Sequence, residues 1–283
     1  MRKVVLALAV AVVAGACGPS AGGGGTLRVS GSTTVNPVAA DAAEALRRQG
    51  LRITVDAQGG SAGGIAQLAR GQVEIAMSSK AVDGADRRAH PSVDFVSTRI
   101  GADAVGIVVR REIVDGGVRS LTRTQLAALF EGRIRNWREL GGPDVPVVVY
   151  DKEPGRGTRE VIDGYLYGAA TAPPPQGDGV AVVGGNEEGR AKVLSTPGGV
   201  TPLSTAFVAG HPKLAAVAVD GVEPTPGHVV DGSYPLARPL FLVTNGLPAG
   251  AARTFVDYVL SAEGQGLVTR HGYLSLADLG ARP

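Results

Sequence analysis

From Leu27 onward, short apolar runs alternate with stretches of helical periodicity. Leu27 to Ser30, Arg52 to Ala57 and Val73 to Met77 have the length and β-branched content of strands, and helical patterns follow the first two. In the first helix Asn36 reads as the N-cap and Pro37 as the first helical residue, with Val38, Ala42, Ala45 and Leu46 on one face. The second is expected over Gly63 to Arg70, with Ile65, Leu68 and Ala69 inward and Gly71 as its stop. Ala104 to Val109 is almost continuously apolar, the pattern of a strand buried on both faces of a parallel sheet.

A second α/β unit then begins. It is expected to hold a helix at Arg123 to Phe130 capped by Thr122, a strand at Val145 to Tyr150, and a helix from Thr158 to Tyr167 that buries Val161, Ile162, Tyr165 and Leu166. Pro173-Pro174-Pro175 and the glycine-rich segments around 184 and 198 read as surface connections, and Pro239 to Val243 as another strand. Helical patterns at Ala251 to Leu260 and Ala262 to His271 close the chain. The expectation is an α/β protein whose chain crosses twice between two lobes. Residues 26–108 and 237–283 would form lobe 1 and residues 109–236 lobe 2, with hinge segments near 105–111 and 235–239.

The N-terminal segment has a different character. Arg2 and Lys3, the apolar Val4 to Val13 and then Ala14-Gly15-Ala16-Cys17 follow the charge, core and small-residue order of an export signal. Cys17 directly follows the small residues, so residues 1–16 read as a lipoprotein signal peptide with Cys17 lipidated, simple secretion being the alternative. Residues 17–25 would be a flexible tether. Both readings place the protein outside the cytoplasm, and the first anchors it to the cell membrane.

Composition removes several classes of function. A net charge of +2 without an arginine-rich stripe argues against nucleic acid. With one cysteine and four scattered histidines there is no disulfide within the chain and no metal-ligand spacing, so neither metal nor cofactor is expected. His90, His211, His228 and His271 are expected on surface loops or helix ends. Trp137, flanked by Asn136 to Leu140, reads as packing in the second lobe.

Positive chemistry sits in three loops between a strand pattern and a helix pattern: Gly31-Ser32-Thr33-Thr34, Gly59-Gly60-Ser61-Ala62-Gly63-Gly64 and Gly155-Arg156-Gly157-Thr158-Arg159. The first turn of a helix leaves N–H groups unpaired at the positive end of its dipole, and a hydroxyl-rich loop there can wrap a small oxyanion. No Lys-Ser or Lys-Thr follows these turns, so nucleotide hydrolysis is not expected. Gly59 to Gly63 also satisfies G-x-S-x-G, which would make Ser61 a hydrolase nucleophile with Asp257 and His271 completing a triad.

The chain resembles the phosphate-binding proteins of bacterial phosphate ABC transporters, within the two-lobed, type II periplasmic binding protein class. The resemblance runs from Leu27 to Leu276 through GSTTV at Gly31, GGSAGGI at Gly59, VEIAMSSK at Val73, LTRTQLAALFEGRIRNWRELGG at Leu121, GRGTR at Gly155 and FVDYVLSAEGQGLVTRHGYLSL at Phe255. It implies two α/β lobes closing over an anion, phosphate capture without covalent chemistry, and a monomer delivering to a separate permease and ATPase. It also implies ligand roles for Thr33, Thr34, Ser61, Gly157 and Thr158. Three positions depart from the pattern. Arg156 stands where the family has serine, Lys152 where it has arginine, and Ser79 where some members place an aspartate that accepts the proton of hydrogen phosphate. Arg156 either grips the anion or points to solvent, and a site of donors alone would suit sulfate as well as phosphate. A sensor or binder of another oxyanion keeps the same fold without transport.

Overall fold

The computed structural model describes residues 25–168, 177 and 179–280. The predicted signal, Cys17, most of the predicted tether and the Pro173-Pro174-Pro175 turn lie outside them.

The chain opens with strand β1 (Leu27–Gly31), helix α1 (Asn36–Arg48), β2 (Ile53–Val55), α2 (Gly60–Ala69) and β3 (Ile75–Ser78). β1 lies between β2 and β3, parallel to both, as a βαβα start requires. Val38, Ala42, Ala45 and Leu46 are buried, so the amphipathic stripe of α1 was legible. Its N-cap is Val35 rather than Asn36, because the turn beginning at Ser32 brings the chain into the helix one residue early. Helix α2 also starts early, at Gly60 instead of Gly63. Gly59 and Gly60 adopt φ of 72° and 63°, a left-handed turn that only glycine enters without strain, and this places Ser61 in the first helical turn.

Next come α3 (Gly84–Ala89), the long β4 (Phe95–Arg110), α4 (Arg111–Asp115), β5 (Ser120–Leu121), α5 (Arg123–Phe130), β6 (Val148–Lys152) and α6 (Gly157–Tyr167). Helix α5 has the predicted bounds, with Thr122 and Gln125 forming a capping box. The remaining elements are β7 (Val180–Val183), α7 (Asn186–Ser195), β8 (Gly199–Ser204), β9 (Leu214–Val219), α8 (Pro226–Val230), β10 (Ala237–Asn245), α9 (Gly250–Leu260) and α10 (Ala262–Arg270).

β4 links two halves of one curled sheet. Up to Ala104 it pairs antiparallel with β10, and from Val105 onward with β8 and β9, also antiparallel. The apolar run at 104–109 is buried as expected, but the parallel reading was wrong. Burial on both faces gives a continuous apolar run whichever way the neighbours point, so the pattern carries no direction. Each half has its own core. One gathers Val29, Val38, Leu46, Ile75, Leu240, Phe255 and Val268, the other Ile107, Leu126, Phe130, Trp137, Ile162, Val200 and Val217. The expected two-lobed α/β architecture holds. Trp137 is fully buried in the second core and donates Nε1–H to the Gly198 carbonyl at 2.9 Å. The segments around 184 and 198 are buried rather than superficial, because Gly184 lines the cleft and Gly198 packs against Pro146 where no side chain would fit.

Candidate functional site

Four strand-to-helix junctions and the end of a fifth strand converge between the halves. From one side come the loop before α1, the first turn of α2 and the end of β3; from the other come the first turns of α6 and α7 and the end of β6. They line a small cavity bounded by Ser32, Thr33, Thr34, Gly60, Ser61, Ser79, Lys152, Arg156, Gly157, Thr158, Gly184 and Asn186. Thr33, Thr34, Ser61, Ser79, Lys152, Arg156, Gly157 and Thr158 thus meet in one place. No carboxylate is among these lining residues, so the surface offers hydroxyls, amides and two cationic side chains.

The hydroxyls are wired together. Ser61 Oγ accepts the Ser79 N–H at 3.1 Å, and its oxygen lies 3.3 Å from Ser79 Oγ. Ser32 Oγ donates to Ser79 Oγ at 3.0 Å and accepts the Thr34 N–H at 3.2 Å. Across the cleft, the Asn186 amide donates to Thr34 Oγ1 at 3.0 Å, and the Ala62 N–H donates to the Gly155 carbonyl at 3.0 Å. The halves meet so closely that a Cβ at Gly157 would stand 2.6 Å from Ser79 Oγ and 2.7 Å from Ser61 Oγ.

The cations differ in kind. Lys152 is almost wholly buried and donates to the Gly185 carbonyl at 2.9 Å. Burial above all, then the neighbouring charge of Arg156, pulls its ammonium down to about 7, while Glu188 and Asp151 oppose the shift. The β6 strand runs two residues beyond its predicted end, which is why Lys152 sits in the sheet rather than in the loop. Arg156 lines the cavity with its guanidinium tied to Glu153 at 2.6 Å.

Sequence reasoning placed Ser32 and Gly60 in the anion loops without giving either a ligand role, and it missed Gly184, Asn186 and the buried pair Arg238–Asp103. Gly184-Gly185-Asn186 carries the same glycine-then-polar signature as the other junctions and could have been found by it. Arg238 had no such signal, since its partner Asp103 is 135 positions away. Their atoms lie 2.7 Å apart, and burial pushes the Asp103 carboxyl up while Arg238 and the Ser204 hydroxyl draw it back.

The hydrolase triad is not assembled. Ser61 is bonded to Ser79, His271 Nε2 lies 2.9 Å from Asp41, and Asp257 is paired with Arg253 at 3.3 Å. All four histidines are partly exposed, on loops or helix ends, as expected. Among the described residues no helix is long and apolar enough to cross a membrane.

Residues 18–263 match the family model of the PBP superfamily domain. The phosphate-binding protein PstS of Bacillus subtilis is 29% identical over 261 residues, covering 90% of this chain and 82% of that protein. That of Borreliella burgdorferi is 26% identical, covering 88% of this chain and 89% of that one. A crystal structure from Clostridium perfringens, described as a phosphate ABC transporter substrate-binding protein with bound phosphate, superposes with a TM-score of 0.78 at 29% identity, covering 89% of this chain and 99% of its own.

Proposed function

The chain belongs to the PBP superfamily, and from that premise we propose that it is a solute-binding protein that captures inorganic phosphate between its halves and hands it to an ABC importer. The observation that carries the reading is the convergence of hydroxyls and helix N-termini from both halves on one cavity lined without a carboxylate. Such a surface favours an anion on every side, and an anion touching both halves favours the closed form.

In this reading Thr33, Thr34, Ser61 and Thr158 donate from hydroxyls, Gly157 and Thr158 from backbone N–H groups, and Ser79, Lys152 and Arg156 complete the shell. Nothing covalent happens, and the permease and its ATPase are separate chains. The N-terminal pattern adds an extracytoplasmic location with a lipid anchor at Cys17.

The test is calorimetric titration of the protein begun at Thr26, stripped of ligand, with phosphate and then with sulfate. Saturable phosphate binding is expected. Equal sulfate binding would widen the substrate to tetrahedral oxyanions, and silence from both would remove the reading.

A further inference from the structure

Arg238 is buried beneath the cavity without lining it. It is the second residue of the return strand β10, directly opposite Asp103 in the antiparallel register, one residue from the point where β4 exchanges its partners. A guanidinium has five N–H donors. Here Nε donates to Asp103 at 3.0 Å and Nη2 to the same oxygen at 2.7 Å. The second Nη2 donor goes to Thr34 Oγ1 at 3.0 Å, and the two on Nη1 to Thr158 Oγ1 at 2.9 Å and Ser79 Oγ at 3.3 Å. Every donor is used, so none is left for a ligand.

The acceptors carry the consequence. A hydroxyl has two lone pairs and one proton. Thr34 Oγ1 receives both Arg238 and Asn186, and Ser79 Oγ receives both Arg238 and Ser32. With both lone pairs filled, these hydroxyls can only donate, Thr34 to the cavity and Ser79 to the cavity or to Ser61 Oγ 3.3 Å away. Thr158, on the opposite half, has one of its two lone pairs filled by Arg238, which turns its proton away from the guanidinium.

Resting on the phosphate reading above, we propose that Arg238 is a positioning residue that sets the proton direction of Thr34, Ser79 and Thr158, aiming hydroxyls from both halves at the anion as donors. Asp103 fixes its plane, so the positive charge reaches the anion through hydroxyls instead of by direct contact. Among the described residues Thr33 Oγ1 receives a single bond, 3.4 Å from Asn186, so besides donating it keeps a lone pair that can take the proton of hydrogen phosphate.

A double-mutant cycle on phosphate affinity tests this, using wild type, Arg238→Lys, Thr158→Val and both together, with Thr158→Ser as the conservative control. A lysine retains the charge but cannot span three hydroxyls. Arg238→Lys is expected to weaken binding by about tenfold or more. Thr158→Val is expected to add little to that loss, and Thr158→Ser to bind close to wild type. If Arg238→Lys fails to fold, Arg238→Met/Asp103→Leu removes the pair without stranding a charge and enters the same cycle. Losses that simply multiply, or an Arg238→Lys variant that binds like wild type, would overturn the inference and leave the phosphate reading intact. Wild type that binds neither phosphate nor sulfate would overturn both.

Discussion

Lys80 and Glu160 form an ion pair of 3.0 Å that joins the two sides of the cleft. Lys80 follows β3, whereas Glu160 lies in the first turn of α6. Within its own half Lys80 also holds Asp86 at 2.7 Å and Asp83 at 3.5 Å. Glu160→Gln therefore leaves the lysine compensated and removes only the tie across the cleft. Stability is expected to change by under about 1 kcal/mol, while anion release speeds up by about two- to tenfold. Stopped-flow release and thermal unfolding measured on the same variant separate the two effects, and an unchanged release rate would refute a latch.

Gly157→Ala tests how closely the halves must approach. The position is helical and has no left-handed backbone, so alanine suits the isolated α6, but its methyl would strike Ser61 Oγ and Ser79 Oγ on the other half. Ligand-free stability is expected to hold or rise slightly, with phosphate affinity falling by about tenfold or more. Wild-type affinity in this variant would show that the cleft does not need this approach.

Ser61→Ala deletes a cavity hydroxyl and strips the Ser79 N–H of its acceptor. A hydrogen bond to a charged group contributes about 1.5 to 3 kcal/mol, so the loss expected in calorimetry is about one to two decades in affinity. Unchanged binding would remove Ser61 from the site.

Lys152 links function to pH. Its pKa is pulled from 10.5 to about 7 in the folded protein, so between those values the unfolded chain binds more protons and stability rises with pH. Lys152→Met is expected to flatten that slope, raise the melting temperature of the ligand-free protein near pH 7, and weaken anion binding. Thermal scans across pH with and without phosphate check all three. A slope that persists in the variant would assign the titration to another group.

Three of the four anion-facing junctions were readable in the sequence because each is local: an apolar run, a glycine turn, a hydroxyl and a helical period within about a dozen residues. The two-lobed fold was readable from the order of such units. Strand direction in β4 was not, since burial on both faces hides it.

The sequence by itself determined which residues could cap a helix and meet an anion, because capping and dipole effects act over one turn. Only the tertiary structure decided that Arg238 would stand opposite Asp103 and beneath three hydroxyls, that Gly157 would touch Ser61, and that Lys152 would be buried beside Arg156. The contacts of Arg238 and Gly157 join segments 80 to 204 positions apart, and Lys152 is closed in by the segment at Gly185, 33 positions on; packing and desolvation set them, and neither leaves a periodic mark along the chain.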